Sequence, residues 1–516
     1  MDSSWLMIEG YGQNNPASLE LLVFAQNNTV IGNFTRADGV PIYDTLNSMA
    51  AGRFGPIVLQ DGNFIEEMQH FDRERLPERV VHAKGAGAFG YFVCTNDLSK
   101  YTQARVLTDV GKRTPVAVRF SRIGGNQGEA DTVRDGRGFA IKFYTDQGNW
   151  DLVGLNLPVF WIRDTMRFPS LIHVNKRNPV TNLYDPVMFW DFISLLPETL
   201  TMILNVFSDR GIPMSYRTMD GHSTNSFSLT RPDGQITFVK FHLQSNQGVK
   251  NMPPDQATVT AGVDADFHVR DLFDNIAKGN FPSWNVSVEL LAPENAKKMP
   301  WNPFDPTKVW PPALTTMLPM GVLLLNQNPT NFFAQVEQLA FDPSRLVPGI
   351  EPTVDRVLQG RLFSYTDTAM YRLGVNNQLL PVNRPMVAVA NRERDGTGRT
   401  DGNQGGSPNY FPNSFNGPRG NSQFRTAPFP VQGLVQSYNS TQEDNYSVPA
   451  LLWKELGETE KNSISTNIVQ TLSQTPQFIQ ERALNNFYQV SPDWGNRVAS
   501  LLNLSGFTPQ AVSESS

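Results

Sequence analysis

Several features that would place a protein in a class at once are missing from this sequence. Its 516 residues include one cysteine, Cys94, which excludes a framework of internal disulfides. No apolar run approaches the roughly 20 residues that a membrane-spanning helix requires. The opening MDSSWLMIEGYG lacks the cationic start and apolar core of a secretory signal, and the final Ser-Glu-Ser-Ser does not resemble an S-K-L peroxisomal address. We therefore expect an intracellular protein, cytoplasmic or peroxisomal, with no membrane partner.

Charge and the common short motifs exclude further classes. Lysine and arginine number 43 against 49 aspartate and glutamate residues, for a net charge of −6, and the basic residues form no stripe. Nucleic acid is therefore not an expected partner. The phosphate-binding pattern G-x-x-x-x-G-K-[ST], the zinc-protease pattern H-E-x-x-H and the pair C-x-x-C are all absent. The expected ligand is a small molecule.

What the chain does contain indicates a barrel. It is 40% hydrophobic and 11% aromatic, which is enough for a large core. Short β-branched and aromatic runs recur between turns at residues 116–120, 140–144, 159–162 and 236–241, and this spacing predicts an antiparallel barrel. Between them, residues 188–207 carry apolar side chains at helical spacing.

The second half of the sequence changes character twice. Residues 281–430 hold much of the proline, asparagine and glycine but keep their aromatics, a combination that indicates an ordered, extended wrapping segment. Helical spacing returns over residues 449–504. We predict an α+β protein in four parts, which are an N-terminal arm, a barrel core, a wrapping segment and a C-terminal helical region at residues 1–50, 51–330, 331–435 and 436–516.

A first candidate for chemistry is the stretch FDRERLPERVVHAKGAG at residues 71–87. It places His82 after two β-branched residues and beside small ones. Glycine at such a position lets a flat, bulky group approach the backbone closely. A core histidine at the end of a strand is the other interpretation, and the local sequence leaves both open.

A second candidate is the stretch DRVLQGRLFSYTDTAMYR at residues 355–372. Arg361 and Tyr365 are four residues apart and share one face if the stretch is helical. A guanidinium beside a phenol favours the phenolate, and a phenolate oxygen is an axial ligand for heme iron. A solvated helix face would give the same spacing, so the pair alone does not establish a ligand.

Together the two stretches resemble the two signatures of the catalase family. Residues 71–87 resemble its active-site signature, and residues 361–368 resemble its heme-ligand signature. Further blocks follow the family's order, namely TPVAVRFS, RDGRGFA, GNWDLVG, FPSLIH, FSDRGIP, PGIE and DGNQGGSPNY. The resemblance covers roughly residues 45–505. It implies an eight-stranded antiparallel β-barrel with an N-terminal arm, an extended wrapping segment and C-terminal helices.

The resemblance also implies heme b as the cofactor. Tyr365 would be the iron ligand, and Arg361 would keep its phenol ionised. Guanidinium forks suit the pairing with heme propionates, and an aromatic ring stacks on the porphyrin. By similarity these roles fall to Arg79, Arg119, Arg372 and Phe168. The proximal signature departs from the family at Thr366, where proline is usual.

On the peroxide side, the resemblance implies that His82 is the distal base, supported by Ser121. The histidine would take a proton from bound peroxide and return it to the leaving oxygen. This is general acid–base catalysis, to which an imidazole with a near-neutral pKa is well matched.

One departure from the family falls inside this pocket. Family members carry D-L-V-G-N-N-T-P, whose first asparagine donates a hydrogen bond to peroxide, whereas residues 151–158 read DLVGLNLP. Leu155 therefore stands at the catalytic asparagine. Asn156 is not a substitute, because adjacent side chains of an extended segment point to opposite faces. Losing one hydrogen bond to a charged group costs about 1.5–3 kcal/mol, which is about 10- to 100-fold in turnover.

Three functions follow from these observations. The leading hypothesis is a specialised oxidation of an organic substrate by dioxygen, superoxide or peroxide, such as the oxidative cyclisation of prechanoclavine to chanoclavine in ergot-alkaloid biosynthesis. The alternative is an ordinary but weakened catalase that disproportionates hydrogen peroxide. Heme binding without catalysis is the third. Oxygen evolution without an organic substrate separates the first two, and the heme spectrum tests the third.

Two partner predictions also come from the resemblance. Ser208, Arg210 and Trp310 match the nicotinamide site of small-subunit catalases, so NADPH is a candidate cofactor. Four other positions of that site carry different residues, which are Thr201, Asn205, Gln244 and Pro312, and NADPH binding stays open. Members of the family assemble through exchange of their arms, so we expect a homodimer or a homotetramer.

Overall fold

The structure is a computed structural model that describes residues 15–428 and 431–509. The chain divides into two compact units, Met1–Glu78 and Arg79–Ser516. Within the described part of the first unit, two helices are joined by loops in which the Asp61 carboxylate accepts from Met49 N and Phe64 N. The predicted four-part division remains a prediction, and its outermost residues lie outside the described ranges.

The described residues contain ten strands and thirteen α-helices. The strands are β1 (Gly85–Cys94), β2 (Arg113–Arg122), β3 (Arg137–Thr145), β4 (Gly148–Leu155), β5 (Gly221–His222), β6 (Phe227–Thr230), β7 (Ile236–Ser245), β8 (Ser283–Leu291), β9 (Thr316–Gln327) and β10 (Ile350–Pro352). The helices are α1 (Glu20–Asn27), α2 (Gly62–Phe71), α3 (Phe168–Val174), α4 (Pro186–Leu195), α5 (Leu200–Phe207), α6 (Pro254–Val263), α7 (Phe267–Ala277), α8 (Pro293–Ala296), α9 (Arg356–Leu373), α10 (Ser447–Glu455), α11 (Glu458–Leu472), α12 (Gln477–Val490) and α13 (Pro492–Leu501).

Eight of the strands close into an antiparallel barrel. Going round it, the order is β7, β5, β4, β3, β2, β1, β9 and β8, and β8 pairs again with β7. Strands β6 and β10 extend the sheet from β7. The predicted α+β fold with an eight-stranded antiparallel barrel is confirmed. Closure depends on the short β5, which pairs with β4 through Leu155 and His222 alone.

The barrel interior takes every second residue of its strands, as the pleat requires. On β2 the interior positions are Val116, Val118 and Phe120, and on β3 they include Phe139 and Ile141. The intervening positions therefore lie on the outer face. That face carries the polar and small residues from which the site is built.

A second apolar core lies among helices α3–α5 and α10–α13. Residues 159–162, expected as a strand, instead form an irregular segment that packs into this core. The strand prediction was wrong here because Pro158 lacks a backbone donor and the Phe160 N–H donates to Pro306 O at 2.8 Å. The helical prediction for residues 188–207 is confirmed, with a break between α4 and α5 at Pro197. Helices α10–α13 lie where helical spacing was predicted over residues 449–504.

None of the helices in the described ranges is long and apolar enough by itself to cross a membrane. The bent pair Pro186–Leu195 and Pro197–Phe207, with 103° between its halves, reaches that threshold by length and composition only.

Candidate active site

One cavity of the second unit brings together most of the residues singled out by sequence. It is lined from the outer face of β2, β3 and β4 and from helices α3 and α9. The predicted residues that line it are Arg79, His82, Arg119, Ser121, Leu155, Phe168, Arg361, Tyr365 and Arg372. Much of the remaining lining is apolar, for example Val153, Leu171 and Val357. A mainly apolar cavity with a few converging polar groups is typical of a cofactor site.

Helix α9 presents Arg361 and Tyr365 to the cavity as a pair. Arg361 Nη2 donates to Tyr365 Oη at 3.2 Å, and the guanidinium carbon lies 5.1 Å from the centre of the tyrosine ring. The same Nη2 donates to Val153 O at 2.9 Å, which ties the pair to β4. The i, i+4 spacing read from the sequence therefore does place the two side chains together.

Behind this pair lies a residue that sequence reasoning missed. Asn225 Oδ1 accepts from Arg361 Nη1, and Asn225 Nδ2 donates to Asp355 Oδ2 at 2.6 Å. Asp355 also caps the start of α9 by accepting from Val357 N and Leu358 N. Burial raises the pKa of Asp355 to about 6. The amide of Asn225 thus links the helix cap to the arginine that contacts Tyr365.

The distal wall is built around His82. Its Nδ1 is 2.9 Å from Ser121 Oγ, and its backbone is held at φ +63° by a hydrogen bond from His82 N to Ile123 O at 3.0 Å. A Cβ on Gly138 would lie 2.4 Å from Ser121 Oγ and 2.7 Å from His82 Nδ1, so only glycine leaves room for this pair. With the N–H of a neutral imidazole at Nδ1 and donated to Ser121, Nε2 is left free to accept a proton.

His82 is neutral over a wide pH range in this setting. Burial first, then repulsion by Arg119, Arg361 and Arg79, lowers its pKa to about 3. The protonated form, which cannot act as a base, therefore dominates only below that pH. We expect kcat/KM for peroxide to show no acid limb from His82 between about pH 5 and about pH 9.

The measurement for this prediction is a pH profile of kcat/KM in the wild type and in Asp355→Asn. Asp355 is the control because its raised pKa falls in the measured range. An inflection near pH 6 that disappears in Asp355→Asn would agree with the prediction. An inflection near pH 6.5 that persists in this variant contradicts it, since 6.5 is the unperturbed value for histidine.

Leu155 lies on the same wall as the histidine. It is the last residue of β4 and pairs with Gly138 of β3, which in turn pairs with Ser121 of β2. Its side chain lines the cavity and is 6% exposed. The neighbouring Asn156 does not line this cavity, because its amide accepts from Arg137 N at 2.7 Å and donates to Arg210 O at 3.1 Å. Beside the His82–Ser121 pair, the distal wall therefore carries the apolar side chain of Leu155, which has no hydrogen-bond donor.

Three guanidiniums gather at another part of the lining. Arg79 and Arg372 approach the Glu337 carboxylate at 3.3 Å and 3.5 Å, and Arg119 bonds to the carbonyls of His82 and Ala83. Burial lowers the pKa of Arg119 to about 10, and also lowers the pKa of Arg79 and Arg372. Three cations share one carboxylate, so the cluster is suited to a ligand that brings further negative charge.

The other predicted binding residues are placed differently. Phe168 begins α3 and lines the cavity half-buried, whereas Ser208, Arg210 and Trp310 do not line it. Ser208 Oγ accepts from Arg210 N at 3.2 Å, and the buried Trp310 donates its indole N–H to Pro303 O. NADPH binding at these three residues stays a prediction.

Known proteins resemble this chain along most of its length. Residues 35–417 match the catalase family, and residues 439–502 match a family described as catalase-related immune-responsive. The catalase of Rattus norvegicus is 51% identical over 471 residues, which cover 91% of this chain and 89% of the rat protein. That of Drosophila melanogaster is 49% identical over 494 residues, covering 95% and 98%. The solved structure of catalase A from Saccharomyces cerevisiae superposes with a TM-score of 0.88 at 39% identity, covering 91% of this chain and 99% of the yeast one.

Proposed function

The chain belongs to the catalase family of heme oxidoreductases, and on that premise we propose that it disproportionates hydrogen peroxide to water and dioxygen. One observation carries the proposal. The His82–Ser121 pair and the Arg361–Tyr365 pair line the same cavity. The first supplies a proton acceptor, and the second supplies an oxygen ligand for iron.

Heme b fits the residues present. Tyr365 would hold the iron, Phe168 would lie against the porphyrin, and the propionates would meet Arg79, Arg119 and Arg372. The cluster of three guanidiniums and one carboxylate leaves two positive charges, which the two propionates would balance. Arg119 Nε has no hydrogen-bond partner among the described residues. This donor is therefore available to a ligand. Bound heme supplies the redox chemistry of its iron.

The proton steps fall to the chain's own distal residues. His82 would accept a proton from the first peroxide and return it to the leaving oxygen, which departs as water. The second peroxide would return the two electrons that the first one took and leave as dioxygen, while its two protons complete the second water, so two peroxide molecules give two waters and one dioxygen. The lowered pKa of His82 keeps the ring neutral before each cycle. A proton on Nδ1, donated to Ser121 Oγ, would leave Nε2 as the acceptor. Leu155 excludes water from the same wall and donates no hydrogen bond.

Leu155 supports a second candidate function. An apolar branch on the distal wall favours contact with an organic group over a hydrogen bond to peroxide. The second candidate is therefore oxidation of a small organic donor, of which cyclisation of prechanoclavine is the most specific form. The relatives named above are called simply catalase, so they support peroxide disproportionation better than this candidate.

Leu155→Asn tests the two functions against each other. We expect the heme-loaded wild type to evolve oxygen from peroxide, and the variant to do so about 10- to 100-fold faster, because the amide restores one hydrogen bond to the reacting oxygen. The measurement is initial oxygen evolution per heme, with the absorption spectrum recorded for each protein.

Leu155→Val is the matched control, since it changes the size of the side chain without adding a donor. A gain in Leu155→Asn that is absent in Leu155→Val identifies the missing hydrogen bond as the limit on turnover. A wild type that binds heme but evolves no oxygen contradicts the main proposal, and turnover of an organic donor then becomes the function to measure.

Self-association as a homodimer or homotetramer is also part of the proposal. Its support is the number of large apolar side chains that the first unit exposes, including Leu21, Ile31, Tyr43 and Leu59 at 84% to 104%. Apolar side chains exposed in this way are available for burial against a second copy of the chain, and burying apolar area is favourable.

A further inference from the structure

Helix α9 is tied to the rest of its unit through the residue that follows Tyr365. The Thr366 hydroxyl donates to Asp342 Oδ2, in the loop between β9 and β10. Asp342 Oδ1 accepts from Ser344 N at 2.8 Å. Asp342 is 3% exposed, so its carboxylate depends on these donors. Removing the hydroxyl would leave one buried carboxylate oxygen without this partner.

Asp342 is itself held in place by a buried ion cluster. Its N–H donates to Asp151 Oδ2 at 2.9 Å. The Asp151 carboxylate accepts from Lys142 Nζ at 2.7 Å and 2.8 Å and from Arg345 Nη1 at 3.1 Å. The side chains of Lys142 and Asp151 are fully buried. The carboxylate that accepts from Thr366 is therefore held in place by contacts that do not involve α9.

Helix α9 is also held at Arg356, Gln359 and Arg372, but its attachments through Arg361 and Thr366 lead to the same strand. Asp151 and Val153 are two residues apart on β4, and Val153 O accepts from Arg361, while Asp151 holds the loop that accepts from Thr366. Thr366 follows Arg361 by five positions, and a step of five positions turns the side-chain direction by about 140° around the axis of an α-helix. Two attachments at such different directions resist rotation of the helix about its axis.

We propose that the Thr366 hydroxyl is a positioning group that sets the direction of the Tyr365 phenol by fixing the rotation of α9. This inference rests on the proposed function in one respect, since it takes Tyr365 to be the ligand of the heme iron. Tyr365 lies between the two attachments in sequence, so a small rotation of the helix moves its oxygen relative to the cavity. Thr366 touches no reacting atom and acts through Tyr365.

Thr366→Val and Thr366→Ser form the test, because valine replaces the hydroxyl with a methyl group of similar size and serine keeps the hydroxyl. We expect heme-loaded Thr366→Val to have a shifted absorption spectrum and oxygen evolution per heme lower by about tenfold, the low end of what one hydrogen bond to a charged group contributes. Thr366→Ser should match the wild type in both. In the heme-free proteins, amide hydrogen exchange along α9 should be faster in the valine variant only.

Thr258→Val is the control, since this threonine is exposed and its hydroxyl donates to Pro254 O of its own helix. A folded Thr366→Val with the wild-type spectrum and exchange pattern overturns the proposal. If Thr366→Val does not fold, Thr366→Ala decides, because it also removes the hydroxyl that Asp342 accepts from. A shifted spectrum in Thr366→Ala supports the proposal and an unchanged one overturns it. Failure of the proposed function can be distinguished from failure of the inference about Thr366. A wild type that binds heme without evolving oxygen refutes that function, and the spectra and exchange rates still decide the role of Thr366.

Discussion

Replacing Tyr365 with phenylalanine is expected to give a folded protein that no longer retains heme. The change removes one hydroxyl, and Arg361 keeps its bonds to Asn225 and Val153 O, so α9 remains attached. The iron loses its protein ligand. Residues that merely orient a metal ligand are worth about 10- to 100-fold in affinity, so loss of the ligand itself should cost at least about 100-fold. Oxygen evolution should fall with heme content.

The measurement is the ratio of heme to protein after gel filtration of reconstituted samples. Tyr371→Phe is the matched control, because Tyr371 lies on the same helix and is 77% exposed. It makes the same chemical change away from the cavity and should keep the wild-type ratio. Equal heme content in Tyr365→Phe and Tyr371→Phe would refute the assignment of Tyr365 as the ligand.

Replacing His82 with asparagine is expected to lower peroxide turnover per heme by about 10²- to 10⁴-fold, the range for loss of a general acid–base group. Asparagine is chosen because His82 has φ +63°, a conformation that asparagine tolerates better than most residues. Its amide cannot accept and return a proton at neutral pH. Heme content should stay at the wild-type level, since His82 is not among the residues expected to hold the cofactor.

His173→Asn is the control for this change, because His173 lies in the last turn of α3 and is exposed. The measurement is oxygen evolution normalised to heme. A loss of heme in His82→Asn would show that the residue is structural, and full activity would show that another group moves the proton. Either result contradicts the assignment of His82 as the distal base.

The barrel was predictable from sequence where strands are long and bear β-branched runs. Residues 116–120, 140–144 and 236–241 all lie in strands, namely β2, β3 and β7. The run at residues 159–162 has the same composition but does not form a strand, because Pro158 precedes it and the Phe160 N–H is bonded to Pro306 O. Its side chains pack among the helices instead. The two-residue β5 has no sequence signal of its own. Its position follows only from its partners across the sheet.

The candidate site was predictable to the extent that its residues lie in contiguous motifs. Arg361 and Tyr365 are neighbours on a helix, and periodicity alone places them together. Asn225 and Asp342 were missed because their contacts to α9 join residues 136 and 24 positions apart, and nothing local marks either residue. The left-handed backbone of His82 was likewise invisible, since its N–H bonds to the carbonyl of Ile123, a residue distant in sequence.

The short strand β5 has a consequence for how the distal wall moves. A single residue pair joins β5 to β4, at Leu155 and His222, and two pairs join it to β7, whereas β2 and β3 share seven. Sparse backbone bonding lowers the free energy of local opening. The barrel therefore opens most easily at the edge of the wall that bears Leu155.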